Sequence, residues 1–404
     1  MAKPKRDLTI EEQLARGPMD LPFLMLTLLL LGIGLIMMFS ASYATAYYDS
    51  KVSTPYYYFF RQLLFGAGGV AVLYLVSKLN YQSLRWLSVF VLIAAFVLLV
   101  LVLVPGVGQV HNNAQRWMKI LIVAGPEFQP SEIAKLGVVL YFAARLSKRN
   151  TEKKKKWSRR TLLGRCLNGL DRIGFLELVP YAAILLGIVA LMYFEPHMSG
   201  TILILVAGAA ILFAAGVKLY WFVGGGAGIG VLLWLLITNT DYMTARIELW
   251  QNPWVDPQGQ GFQAIQSLLA IGSGGLLGLG LGNSRQKFLY LPEPENDFVF
   301  AIACEELGFI GAALILILFA LLIIRGYWLA IHARDRFGAL LIVGIITLFA
   351  FQVFFNIGVV TGLLPVTGIS LPFFSYGGTA LIIQLAEMGI VLSVSRQIPA
   401  PKAG

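Results

Sequence analysis

Charge is what this chain has least of: Asp, Glu, Lys and Arg make up 13% of its 404 residues, while 58% are hydrophobic. Soluble domains of average composition carry about 25% charged residues, so a water-soluble globular fold is excluded. Cysteine is nearly absent as well. The two cysteines, Cys166 and Cys304, have no C-x-x-C neighbours, which excludes a disulfide framework, a zinc cluster and thiol redox chemistry. Histidine is scarce too: His111, His197 and His332 fall in separate loops. With no H-x-x-x-H and no serine elbow, zinc-protease and hydrolase-triad readings lose support. The glycines between Gly224 and Gly230 lack the Gly-Lys-Ser/Thr ending of a P-loop and suit close helix packing instead.

What is there is a series of apolar runs, with a mean hydropathy of +0.76 for the whole chain. About twenty such residues cross a hydrocarbon core. Runs of this kind lie at 21–39, 59–76, 86–104, 131–146, 175–194, 200–215, 219–237, 298–324, 337–360 and 374–394. They predict an all-α polytopic membrane protein of about ten transmembrane helices with both termini inside. Residues 1–20 form a cytoplasmic N-tail, 21–396 a single membrane domain and 397–404 a cytoplasmic C-tail. Residues 145–174 read as a basic cytoplasmic loop, and 238–296 as a large extracellular loop between helices 7 and 8. Within the latter, 268–282 is apolar but short and glycine-rich, as in a re-entrant or interfacial piece.

The net charge of +10 would suit nucleic acid, but its distribution argues against that. Roughly three quarters of the 31 lysines and arginines fall on one side of the predicted membrane, as expected for a cytoplasmic face. The run Lys153 to Lys156 is then a topogenic cluster with no catalytic role. No nucleic-acid partner is expected.

Acids are concentrated in one stretch, L-P-E-P-E-N-D-F-V-F-A-I-A-C-E-E-L-G at Leu291. Glu293, Glu295 and Asp297 crowd the edge of an apolar run, and Glu305 and Glu306 lie inside it. In a helix starting near Asp297, Glu305 stands about 12 Å further along. Acids at such depth face a protein interior or a watery cavity and mark a site. The plain reading of Asp297 is an N-cap; cap alone, and cap with chemistry, remain open at this point.

Cations gather in the outer loops: Arg116 and Lys119, Arg246, and Arg285 with Lys287. Guanidinium forks match phosphate oxygens, although each such residue also serves as a membrane-edge anchor. Glu132 and Lys135, three apart behind Pro130, share a helix face and can form an internal ion pair.

Several strings together resemble the SEDS family of cell-wall proteins, whose members include FtsW, RodA and SpoVE. They are F-S-A-S at Phe39, R-Q at Arg61, R-W at Arg116, Q-P-S-E-I-A-K at Gln129, D-P-Q-G-Q-G-F-Q at Asp256, G-L-G-N-S-R-Q-K at Gly280, the acidic stretch at Leu291 and L-P-V-T-G-I-S-L-P-F-F-S-Y-G-G at Leu364. They follow in order along nearly the whole chain.

The resemblance implies a peptidoglycan glycosyltransferase that polymerises lipid II into β-1,4 glycan strands at the outer face of the bacterial cytoplasmic membrane. The implied partners are a class B penicillin-binding protein and other proteins of a division or elongation complex. The role would lie in division, cell shape or spore cortex, with FtsW or SpoVE slightly favoured over RodA. The family's catalytic aspartate falls on Asp297, expected as general base. Arg116, Lys119, Glu132, Lys135, Arg246, Arg285, Lys287 and Glu306 are the expected substrate-binding residues. Mg²⁺ or Mn²⁺ is the expected helper, with no organic cofactor. One departure is E-P-H-M-S-G-T at Glu195, where many relatives read P-D-L-G-T; no role is carried to that loop. Two rivals stay open, a lipid II flippase and a non-catalytic scaffold.

Overall fold

The computed structural model describes residues 17–48, 54–111, 114–119, 127–149, 174–195, 197–239, 247–259 and 261–398. Among them are ten helices of 17 to 34 residues. In chain order they are α1 (Leu21–Tyr48), α2 (Tyr57–Lys78), α3 (Leu84–Val102), α4 (Pro130–Ser147), α5 (Phe175–Phe194), α6 (Met198–Ala214) and α7 (Leu219–Asn239), then α9 (Val299–His332), α10 (Arg336–Val360) and α11 (Gly378–Ser395). A shorter helix, α8 (Phe262–Gly274), lies in the large outer loop. Among the described residues seven helices are long and apolar enough to cross a membrane by length and composition. The protein is a multi-pass membrane protein, all-α in its membrane domain.

Burial separates centre from rim. In α10, 72% of the spanning window is buried and in α11 67%, against 22% in α2 and 17% in α5. α10 packs on α4, α6 and α9, and α11 covers α2. The peripheral helices leave apolar faces such as Leu64, Leu75 and Leu186 exposed, as a lipid-facing surface requires, since lipid tails are as apolar as leucine.

Charged staples fix one edge of the bundle. Asp20 accepts from Phe23 N at 3.0 Å, and from Arg325 Nε at 3.0 Å and Nη2 at 2.5 Å, tying the start of α1 to α9. Asp335 is fully buried and caps α10 through Gly338 N at 3.1 Å. It also accepts from Tyr81 Oη at 2.6 Å and Arg85 Nη2 at 3.0 Å, which draws in the start of α3.

The opposite edge is irregular. α1 continues nine residues beyond the predicted apolar run, to Tyr48. The α3–α4 connection forms a small antiparallel sheet in the order β1 (Gly108–His111), β2 (Ala114–Lys119), β3 (Glu127–Phe128). α9 is broken at Gly308, whose φ of 66° and ψ of −172° are non-helical. The Gly275–Gly280 segment hydrogen-bonds into the break, with Leu279 N donating to Glu305 O and Gly280 N to Glu306 O, each at 3.0 Å. A Cβ on Gly308 would meet Gly278 N at 2.3 Å, so only glycine fits this crossing.

Candidate active site

Asp297 lies in the turn just before α9. The N-cap position is Phe298, with no side-chain cap hydrogen bond, so the capping role expected of Asp297 is corrected. Its backbone is held instead: Asn356 Nδ2 of α10 donates to Asp297 O at 2.8 Å and to Ile369 O at 2.7 Å. This clamps the turn against the α10–α11 linker. Gly368 in that linker has φ +71°, and a Cβ there would stand 3.4 Å from Asp297 Oδ2.

Among the described residues the Asp297 carboxylate receives no hydrogen bond. It is half-buried and densely surrounded by protein. Loss of hydration pushes its pKa up to about 6, helped by the nearby Glu293 charge and opposed by Arg116. Burial also raises Glu295, which accepts from Thr45 Oγ1 at the end of α1 at 3.0 Å.

Arg116 reaches the same place from β2. Its Nε donates to Glu195 O at 3.2 Å, at the α5–α6 turn. Glu195 is fully buried, and neither carboxylate oxygen has a hydrogen-bond partner among the described residues. Burial drives its pKa up to about 8, with Arg116 pulling the other way. It is therefore protonated at neutral pH. His197, two residues further, sits against Gln129 Nε2 at 3.3 Å. Burial, with Arg116 and Lys135, pushes its pKa down to about 3, so it is neutral. Sequence reasoning assigned this link no role; the one available signal was a pair of ionisable residues in a short turn between two apolar helices.

Behind His197, Lys135 Nζ and Glu132 Oε2 pair at 2.7 Å on α4, and both residues are buried. Glu387 of α11 lies within electrostatic reach of both. A line of ionisable groups thus runs from Asp297 through Arg116 and His197 into the bundle.

The other nominated residues are placed differently. Lys287 is 3% exposed, and its ammonium is taken up by Glu306 Oε1 at 2.9 Å, Ser40 Oγ at 3.0 Å and Gly282 O at 2.7 Å. Ser40 Oγ also reaches Glu306 Oε1 at 2.6 Å. Glu305 accepts from Ser284 Oγ at 2.5 Å and Arg285 N at 3.0 Å. Together with Glu306, Lys287 ties the loop before α9 to α1 and α9. The Arg285 side chain is exposed beside this cluster. Lys119 pairs in register with Glu127 across β2 and β3. Arg246 lies outside the described residues.

A family model described as "Cell cycle protein", for FtsW, RodA and SpoVE, matches residues 21–399. The chain is 44% identical over 381 residues to "Stage V sporulation protein E" of Bacillus subtilis (strain 168), covering 93% of this chain and 97% of the relative. It is 38% identical to "Probable peptidoglycan glycosyltransferase FtsW" of Geobacter metallireducens, covering 94% and 95%. Among solved structures, a chain of a peptidoglycan synthase complex that coordinates polymerization and crosslinking matches with a TM-score of 0.72 at 28% identity, covering 94% of this chain and 98% of that one. The rod shape determining protein RodA of Thermus thermophilus matches with a TM-score of 0.64 at 26% identity, covering 95% and 98%.

Proposed function

We infer from the family of cell cycle proteins to which this chain belongs, that of FtsW, RodA and SpoVE, that it is a peptidoglycan glycosyltransferase. Its substrate is lipid II, polymerised at the outer face of the bacterial membrane; the inner-side concentration of lysine and arginine supports that orientation.

Asp297 is the general base. It takes the proton of the acceptor sugar's C4 hydroxyl as that oxygen attacks C1 of the donor. The C1–O bond to the diphosphate breaks, and the leaving diphosphate carries away the electron pair. Attack on an α-linked donor inverts C1 and gives the β-1,4 bond. The observation that carries this reading is a carboxylate with no hydrogen bond among the described residues and a pKa raised by burial to about 6, because a base works best when its pKa lies near the working pH.

Arg116 is the cation nearest the reaction and offsets the diphosphate charge. Arg285 and Lys119 are the outer-edge candidates for the same task. Among the described residues no group of three or more His, Cys, Asp or Glu could hold a metal. Glu293, exposed in the turn that carries Asp297, is the carboxylate that would hold Mg²⁺ or Mn²⁺, hard cations that take oxygen ligands. The ion would supply charge neutralisation there. The partner we propose is a class B penicillin-binding protein, in keeping with the synthase complex of the structural relative.

The test is polymerisation of purified lipid II by the protein with that partner, wild type against Asp297→Asn. The expected result is a loss of about 10² to 10⁴-fold, the usual contribution of a positioned base. Equal product from the variant would overturn the assignment.

A further inference from the structure

A cavity of about 500 Å³ opens on the outer side between residues 249–253, α8 and the α10–α11 linker. It falls within the roughly 300–1,000 Å³ range of small-ligand sites. Trp250, Gln251, Gln263 and Thr361 supply its aromatic and polar wall, and Leu268 and Val366 part of its apolar wall. The reaction described above uses none of these residues.

The walls are tied to the catalytic turn from two directions. Gln263 Nε2 donates to Pro292 O at 3.4 Å, five residues before Asp297. On the other side Val366 lines the cavity, while Gly368 lies against the Asp297 carboxylate. Two residues of chain span at most about 7 Å, so Val366 and Gly368 lie within roughly one sugar length of each other. Between them Thr367 Oγ1 is buried without a partner among the described residues. Trp250 is held by its Nε1 bond to Gly362 O at 3.0 Å and is still 39% exposed.

The lining identifies the chemistry. Among the described residues the lining carries no lysine, arginine, aspartate or glutamate, so those residues offer no charged partner to a diphosphate or a charged peptide stem. A pyranose matches it: its C–H face packs on an aromatic ring, and its hydroxyl and acetamido edge pairs with glutamine amides and a threonine hydroxyl. We propose that this cavity is a saccharide subsite, which holds an uncharged N-acetylhexosamine of the glycan beside the Asp297 turn. The proposal rests on the reading of the chain as a glycan polymerase.

The test titrates the intact protein, in complex with its partner, with chitotetraose, an uncharged N-acetylglucosamine oligomer, followed by saturation-transfer NMR. KM and kcat for lipid II are measured on the same preparations. The expected result is saturable chitotetraose binding that Trp250→Ala weakens roughly fivefold to tenfold, with a matching rise in KM. Trp250→Phe, which keeps a ring face, restores most of both. Gln251→Ala changes an exposed side chain and decides the matter if Trp250→Ala does not fold; it should weaken binding about threefold. A wild type that polymerises lipid II, yet shows no saturable chitotetraose binding or binding indifferent to these variants, overturns the subsite and leaves the polymerase reading standing. Wild-type binding that responds to the variants, without polymerisation, keeps the subsite and overturns the polymerase reading.

Discussion

Two sets of acids stand a few residues apart in this chain, and the protein treats them in opposite ways. Each oxygen of Glu305 and Glu306 accepts at least one hydrogen bond, from Ser40, Ser284, Lys287 or the amides of Arg285 and Gln286. Asp297, at the outer end of the same segment, receives none among the described residues, and dehydration raises its pKa. A carboxylate bonded by donors from several segments serves to hold those segments together. One surrounded by protein without donors accepts a proton readily. The first set joins the loop before α9 to α1 and α9; Asp297 is the one to which we assign the base role.

The comparison can be broken first at the satisfied set. Lys287→Met leaves Glu306 buried without its counter-ion, which costs about 3–5 kcal/mol. Denaturation in detergent should show that loss, and adding Glu306→Leu should recover part of it. A Lys287→Met protein of normal stability but failed lipid II binding would return Lys287 to the substrate side.

A smaller effect sharpens the unsatisfied set. A base must be deprotonated to act, so the polymerisation rate should fall about tenfold per pH unit below pH 6, following the Asp297 pKa of about 6. A rate flat down to pH 4.5 would mean that an acid with an ordinary pKa limits the reaction.

The smallest effect is expected at the α5–α6 turn. Glu195 has a pKa of about 8 and is already neutral at pH 7, so Glu195→Gln should keep the rate within about twofold there. The two proteins should diverge only above pH 8, where the wild-type carboxyl ionises beside Arg116. A large loss at pH 7 would mean that the ionised form matters.

The membrane helices were legible because uncharged runs of twenty residues have few other uses. The end of α1 was not: S-A-S-Y-A-T-A-Y-Y at Ser40 is too polar to read as a span, and its polar groups are answered by Glu306 and Glu295, far away in sequence. The β1–β3 sheet was hidden for the same reason, since its register is set by pairing rather than by local pattern. At the site, burial cost singled out the acidic stretch through Glu305 and Glu306, and the family resemblance placed the catalytic role on Asp297 within it. Lys287 and Arg116 were indistinguishable in sequence as outer-loop cations. Which one meets a buried glutamate and which one reaches the Asp297 turn depends on the break at Gly308 and on the β2 strand. Glu195 and His197 were missed because nothing local announces that a short turn is buried.

The central claim is that the unsatisfied carboxylate is kept for chemistry at a cost to the fold. Its raised pKa means that stability is lost as pH rises through about 4 to 6, where the unfolded chain releases the proton more easily than the folded one. The most direct measurement is the melting temperature of Asp297→Asn at pH 8, taken on the same preparation as the lipid II assay. The account predicts a Tm equal to or above that of wild type with product lost. A lower Tm, with residual product in proportion to the folded fraction, would contradict it and make Asp297 a structural residue.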